Sequence, residues 1–380
     1  MKNDFQCSAP WQGLFINPDG DFRVCCAGQS LGNLNNNTLI EILNGSKLKS
    51  IQREIITQGY SSYCKNCMDM EKIQGKSLRD QFEKDLNNVD TTKFQPSILD
   101  IRWRNTCHLR CSYCNSDWSS AFAQWEGKTL KVSEREWQQE VLDHIRENKV
   151  IFKHVNMLGG EPLLMKENLE LLSILQPDEM IGVITNLAVP NIESLPVYKK
   201  LLTMKASWLV SLESIGNKLE YTRRNAKWSV LKDNYETLYR NPLKLTSMGC
   251  HMTYNVLSIT TLVETFDWLY EIDPRPGNNW HLISILLGPS QFCVIDFPKE
   301  IKLLAIDELD KLEKKYNHYL SASQKNFITS TRSRLYETLN TYNVESVDNF
   351  KKYVIQSDKE MSPIKFSDEW PEIAKILSIS

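Results

Sequence analysis

The sequence predicts an α/β fold: a partial, TIM-like (β/α)6 barrel, preceded by a small cysteine-rich domain and followed by a helical extension. Three observations predict it. Short apolar runs alternate with helix-like stretches from Ser97 onward, the cysteines gather in two clusters, and the chain after Pro298 turns helical and charged. At 380 residues the chain suits one large unit with one or two small ones.

Residues 1–75 form the first expected domain, with few apolar runs and many turn residues. Asn17-Pro-Asp-Gly20 is a turn signal, flanked by Leu14, Phe15 and Ile16 and by Phe22 and Val24. It predicts a β-hairpin, followed by a short helix over residues 39–53. So small and polar a segment cannot hold together by burial alone, and a metal staple would explain its stability. Residues 76–96 read as a polar helical connector ending at Pro96.

The barrel is assigned to residues 97–298. Its expected strands are 98–103, 154–158, 181–185, 208–212, 252–256 and 281–287, with helices at 133–148, 168–175, 228–239 and 261–271. This alternation implies a parallel sheet, and a barrel places its chemistry at the C-terminal ends of the strands. In the extension, residues 299–380, Ile301, Leu304, Leu309 and Leu312 mark one apolar helix face.

Hydrophobic residues make up 41% of the chain, enough for a substantial core. The formal net charge of −2 suggests neither nucleic acid nor a membrane surface as partner. No segment approaches the ~20 consecutive apolar residues of a membrane helix. Residues 1–11 are polar and carry a cysteine, unlike a signal peptide. A soluble, cytoplasmic protein is expected.

The ten cysteines are not spread as a disulfide framework would be. Cys7, Cys25, Cys26, Cys64 and Cys67 lie within the first 70 residues, and Cys107, Cys111 and Cys114 form a tight second group. In a reducing compartment such clusters read as metal or redox ligands. The scattered Cys250 and Cys293 read as buried small hydrophobes.

Cys107-His-Leu-Arg-Cys111-Ser-Tyr-Cys114 follows the first barrel strand, in the loop where a barrel enzyme keeps its reactive groups. Thiolates are the usual ligands of iron–sulfur clusters. Three on a four-iron cube leave one iron open to a substrate or cofactor, by the logic that separates catalytic from structural zinc. A structural zinc site would more often show paired C-x2-C elements and a nearby fourth ligand, and His108 is awkwardly placed for that.

Cys-x3-Cys-x-aromatic-Cys after a first strand resembles the signature of radical SAM (S-adenosylmethionine) enzymes, and further matches follow in order over roughly residues 97–289. Gly159-Gly160-Glu161-Pro162 is similar to the glycine-rich motif closing the second strand, which the resemblance implies receives the SAM amino group. Thr185-Asn186 ends the third strand where the family often reads TNG, with Leu187 replacing the glycine. Ser211-Leu-Glu213 ends the fourth, where relatives place contacts to the SAM ribose. Tyr221-Thr-Arg223-Arg224-Asn-Ala-Lys-Trp228 resembles the segment whose arginine meets the SAM carboxylate, a charge-assisted pairing. Asn255 is a weaker match for the adenosine pocket.

The resemblance implies a 4Fe–4S cluster on Cys107, Cys111 and Cys114 that chelates SAM, whose one-electron cleavage yields a 5′-deoxyadenosyl radical for hydrogen-atom abstraction. It also implies an electron donor such as flavodoxin or ferredoxin. The N-terminal cysteines resemble the auxiliary-cluster domains called SPASM and twitch, here ahead of the barrel. Matching Gly-x4-Cys assigns Cys7, Cys25, Cys64 and Cys67 to an auxiliary 4Fe–4S cluster and leaves Cys26 spare. A structural zinc site on the same four cysteines stays open, because C-x2-C pairs serve zinc equally well.

Many relatives with this auxiliary domain modify peptides, so a peptide or protein substrate is expected; a small-molecule dehydrogenase or a cofactor or nucleoside biosynthesis enzyme is the alternative. A non-enzymatic zinc-binding interaction protein is the competing reading of another class. His154, His251 and His281 read as satisfied core histidines, and Trp103, Trp118 and Trp125 as packing. Arg102 and Arg104 alternate on the first strand and should share a face. Glu213 and Tyr254 are possible substrate contacts.

Overall fold

The computed structural model describes residues 6–74, 77–84, 86–128, 136–176, 179–241, 247–274 and 281–379. Residues 133–135 of one expected helix, 75, 76 and 85 around the connector and 1–5 lie outside them. Strands among the described residues are β1 (Gly13–Ile16), β2 (Asp21–Arg23), β3 (Gly32–Asn33), β4 (Ile98–Ile101), β5 (Arg110–Cys111), β6 (His154–Met157), β7 (Met180–Thr185), β8 (Ala206–Ser211), β9 (Arg223–Arg224), β10 (Ser247–Tyr254) and β11 (Leu282–Ile285). The chain groups into two compact units. The first is Met1–Cys107, Ser116–Ile184 and Glu193–Ser207; the second is His108–Asn115, Thr185–Ile192 and Trp208–Ser380.

In the first unit the strands run in the order β3-β2-β1-β4-β6-β7. β4 pairs in parallel with β6, Ile98 opposite His154 and Ile101 opposite Met157, and β6 pairs in parallel with β7. All four β4 residues are buried, as expected of a central parallel strand covered on both faces. The expected hairpin forms: β1 and β2 are antiparallel, and Gly20 closes the turn at φ +79°, the left-handed region that favours glycine. β1 also pairs in parallel with β4, Gly13 opposite Ile98 through Ile16 opposite Ile101, so the hairpin extends the sheet of the first barrel strand.

Two elements differ from expectation. The helix expected over 39–53 is two helices, Leu39–Leu43 and Ser46–Gln58. A Thr38 capping box starts the first, and Asn44-Gly45 stops it. Among its described residues, the connector, expected to be helical, carries only short 3-10 turns, Leu78–Gln81 and Leu86–Asn88. Its polar side chains compete for the backbone: Ser77 accepts from Arg79 N at 3.2 Å and Asp90 from Thr92 N at 3.0 Å.

In the second unit the strands run β8-β10-β11, with β10 and β11 parallel and His251 opposite Leu282. β5 and β9 form a separate antiparallel ribbon. Helices Trp228–Arg240 and Leu262–Ile272 pack within this unit, burying Leu231, Tyr235 and Leu238 from the former and Leu262, Phe266 and Leu269 from the latter. The expected helical extension is present as Lys299–Tyr316, Ala322–Glu337, Val344–Glu360, Phe366–Glu369 and Pro371–Leu377. The Tyr254 hydroxyl donates to the Ala305 carbonyl at 3.1 Å, so its polar end anchors a helix of the extension. Among the described residues, no helix is long and apolar enough to cross a membrane.

Candidate functional site

Within the first unit, Cys7, Cys25, Cys64 and Cys67 line one pocket, together with Ala9, Tyr63, Arg79 and Phe82. Each cysteine sits at an element end. Cys7 precedes the turn of Ala9–Gln12 and accepts from Ala9 N at 3.5 Å; Cys25 follows β2. Cys64 and Cys67 lie on a turn capped by Ser61 and on the helix Lys65–Gln74. Tyr63 props the two halves, its hydroxyl accepting from Val24 N at 3.3 Å. Arg79 is held by Glu71 at 2.8 Å and donates to Gln6 O at 2.8 Å.

Burial, then the nearby Cys64 and Cys67, pushes the Cys7 thiol up to about 12. Cys25 is raised by burial and by Cys26, Cys7 and Cys67, and Cys64 by burial. Thiols buried together in a dry pocket, as Cys7, Cys25 and Cys64 are, resist ionising unless a cation neutralises them. That donor set fits a cysteine-ligated iron–sulfur cluster. The sulfurs line a pocket rather than meet at a point: among the described residues, no three His, Cys, Asp or Glu side chains form a group that could hold a single metal ion. Cys26 is exposed and outside the pocket lining.

Cys107 also belongs to the first unit, and Cys111 and Cys114 to the second. Ser120, at the start of the helix Ser120–Trp125, grips Cys107 at both backbone groups, its Oγ accepting from Cys107 N and donating to Cys107 O, each at 3.0 Å. The Gly159-Gly160-Glu161-Pro162 turn lies against the residues just before Cys107, with Glu161 N donating to Thr106 O at 2.7 Å. A Cβ on Gly160 would sit 2.3 Å from that same carbonyl, and Gly159 has φ +103°. These glycines therefore seat the Cys107 loop. Gly160→Ala is expected to cost about 1–3 kcal/mol by overpacking; urea unfolding of the apoprotein measures it.

Arg102 and Arg104 lie beyond the end of β4 and take different partners, Asp100 at 2.5 Å and Glu167 at 2.7 Å, because the strand stops at Ile101 and its alternation with it. Trp103 is core, stacked on Trp137 with centroids 6.0 Å apart. Trp118 and Trp125 are exposed, and so is His154, contrary to the packing expected of them.

In the second unit, Thr185 and Asn186 shape the turn after β7: the Thr185 hydroxyl accepts from Leu187 N and the Asn186 side-chain Oδ1 from Ala188 N, each at 2.9 Å. Leu187, standing where TNG has glycine, has φ +52°. It is buried, and Asn234 Nδ2 donates to its carbonyl at 2.9 Å, so the surrounding packing holds this strained position. Asn255 spends its amide on the backbone of its own turn, donating to Thr253 O at 2.7 Å and accepting from Leu257 N at 2.9 Å. Just after β8, Glu213 is completely buried, and among the described residues its Oε1 and the Ser214 hydroxyl have no hydrogen-bond partner. Buried polar atoms without partners are rare and costly, and here they suit a polar ligand such as SAM. Ser211 is half-buried at the end of β8.

The β5–β9 ribbon sets Cys111 opposite Arg223 and Arg110 opposite Arg224. Alternation sends the two pairs to opposite faces. Arg110 and Arg224 both reach Glu360 of the helix Val344–Glu360, at 3.2 and 3.5 Å. Tyr353 of the same helix stacks on Arg224, 4.7 Å from ring centroid to guanidinium, and bonds Ser112. On the other face, the Arg223 guanidinium donates to Glu213 Oε2 from Nε at 3.2 Å and from Nη2 at 2.6 Å, to the Tyr113 hydroxyl at 2.7 Å and to Cys111 Sγ at 3.6 Å. Burial opposes the Arg223 charge, but Glu213, Tyr113 and Cys111 hold it well above the ordinary range. Burial, then Arg223, brings His251 down to about 4, and its ring is within 2.7 Å of the Ser284 hydroxyl. His281, likewise lowered to about 4 by burial, accepts from Cys250 N at 3.1 Å.

Residues 101–269 match the model of the radical SAM superfamily, and residues 7–68 that of SPASM, an iron–sulfur cluster-binding domain. These matches place a radical SAM domain and a SPASM domain in this chain. It is 24% identical over 198 residues to the 7-carboxy-7-deazaguanine synthase of Clostridium acetobutylicum, a match spanning 52% of this chain and 77% of that one. Among solved structures it is similar to anSMEcpe with bound AdoMet, at 14% identity and a TM-score of 0.42 over 68% of this chain and 66% of that one. Streptococcus suis SuiB bound to precursor peptide SuiA matches at 13% identity and a TM-score of 0.41, over 74% and 63%. The chain thus spans just under two-thirds of these solved chains.

The radical SAM and SPASM domains imply SAM and 4Fe–4S clusters as cofactors. Sequence reasoning missed Ser214, Tyr113, Tyr353 and Glu360. Tyr113 had a signal, as the aromatic residue between Cys111 and Cys114. Tyr353 and Glu360 had none, lying more than 230 residues from their partners Ser112 and Arg110.

Proposed function

We propose that this radical SAM enzyme abstracts a hydrogen atom from a peptide or protein substrate, with an auxiliary 4Fe–4S cluster in addition to the SAM-binding one. The observation that carries the reading is the pocket of Cys7, Cys25, Cys64 and Cys67 in a chain that also holds Cys107, Cys111 and Cys114 within eight residues. The pocket supplies four sulfurs and closes a cluster's coordination, which suits electron transfer or structure. The triplet supplies three and leaves an iron for SAM. When bound, the reduced cluster and SAM together supply the one-electron chemistry of hydrogen abstraction.

The chain's own groups then have defined tasks. Gly159 and Gly160 seat the Cys107 loop, and the backbone of the Gly159–Pro162 turn receives the SAM amino group. Glu213 Oε1, with Ser211 and Ser214, accepts from or donates to the SAM ribose. Thr185, Asn186 and Asn255 hold the turns on the adenosine side. The peptide assignment rests on the auxiliary domain, which in this family accompanies many peptide-modifying enzymes. The likeness to a deazaguanine synthase favours a second reading, a small molecule.

The test uses anaerobically reconstituted protein, SAM and dithionite, with 5′-deoxyadenosine as readout. A peptide extract from the organism that encodes the protein should raise its yield, and exhaustive protease digestion of that extract should remove the rise. Equal stimulation by digested extract establishes the small-molecule reading. No 5′-deoxyadenosine in any arm ends the enzyme reading.

A further inference from the structure

We infer that Arg223 acts on the iron–sulfur cluster through the sulfur of Cys111, and not on the carboxylate of SAM. This rests on the reading that Cys111 ligates the SAM-binding cluster. A guanidinium has five N–H groups. Four are committed: two to Glu213 Oε2, one to Tyr113 and one to Cys111 Sγ. One remains, whereas gripping a carboxylate with the fork takes two parallel N–H bonds.

Nor is the group free to swing. Arg223 is 5% exposed, its Cα is registered opposite Cys111 by the β5–β9 ribbon, and Glu213 beneath it is fully buried. Thr261 donates to the Glu213 carbonyl at 2.6 Å and fixes that backbone in turn. The Nη1–H bond to sulfur is therefore a built feature. Hydrogen bonds and positive charge at a ligand sulfur stabilise the more negative, reduced cluster and raise its potential. Arg223 is thus a positioning and tuning residue. It favours the electron uptake that must precede SAM cleavage, and Glu213 is the group that both aims it and keeps one oxygen, Oε1, for a ligand.

Arg223→Lys keeps a cation for Glu213 but loses the rigid fork that spans to Cys111. Reconstituted protein is titrated potentiometrically without SAM and followed by electron paramagnetic resonance. The midpoint of the SAM-binding cluster should fall by an amount equal to a roughly tenfold loss in the reduced-to-oxidised ratio, about 59 mV for one electron. The Cys7 pocket cluster should keep its own midpoint. The Kd for SAM should change less than threefold. In wild-type protein in D2O, pulsed measurements should find an exchangeable deuteron coupled to the reduced SAM-binding cluster, and Arg223→Lys should lose it.

If Arg223→Lys loads poorly, the double variant Glu213→Leu/Arg223→Met, which removes the pair together, is titrated instead and should show the same fall. An unchanged midpoint with SAM binding weakened tenfold or more would overturn the inference and give Arg223 to the carboxylate. Wild-type protein that assembles a cluster only in the Cys7 pocket would overturn the reading beneath it.

Discussion

Replacing Cys107, Cys111 and Cys114 together by alanine should abolish SAM cleavage and halve the iron, from about eight to about four per chain for two four-iron clusters. The effect is the largest expected because these sulfurs are the only anchors the reading gives the SAM-binding cluster. The remaining iron should stay with Cys7, Cys25, Cys64 and Cys67, whose pocket lies wholly within the first unit and takes no side chain from the triplet. Replacing those four instead should leave the other half of the iron. Cys26→Ala, exposed and outside the pocket, should change neither amount. Iron analysis and 5′-deoxyadenosine yield read the outcomes directly. Cleavage surviving in the triple variant would remove the basis of the proposed function. Stoichiometric zinc in place of iron in wild-type protein would return the zinc-binding reading.

Glu213→Ala should be among the most destabilising single substitutions in the second unit, costing about 3–5 kcal/mol. Its carboxylate is fully buried and the Arg223 guanidinium nearly so, 2.6 Å apart. Removing one partner strands a charge that Tyr113 and Cys111 cannot neutralise. The loss is a large part of the roughly 5–15 kcal/mol that holds a domain folded. Glu213→Leu/Arg223→Met should recover most of it, since a buried pair exchanged for apolar side chains of similar volume is often neutral or better. Urea unfolding of the apoprotein compares the three. A Glu213→Ala loss below about 1 kcal/mol would mean that the pair is solvated or neutral. The double variant recovers stability while losing the cation at Cys111, so its stability and its cluster potential move apart.

Much of the candidate site was legible along the chain because it is carried by residues close in sequence. Three cysteines within eight residues, the Gly159-Gly160 turn and a Pro-Asp-Gly hairpin are local patterns, and local patterns survive without knowing the fold. The alternation of apolar runs with helices likewise gave parallel strands, because a strand buried on both faces reads as a continuous apolar run. Polar segments were less legible. Residues 76–96 look helical by composition, yet Ser77 and Asp90 divert the backbone into turns.

By itself the sequence determined the strand–helix order and the two cysteine clusters, since each is a local pattern along the chain, and its motifs carried a family resemblance. Only the tertiary structure decided what those residues touch. It set β1 beside β4 and pressed Thr106 onto Gly160. It tied Arg110 to Glu360 across 250 residues and turned Arg223 toward Glu213 and Cys111. A side chain's partner is chosen by burial, which leaves a charge no choice but its nearest complement, and burial is a property of the folded chain.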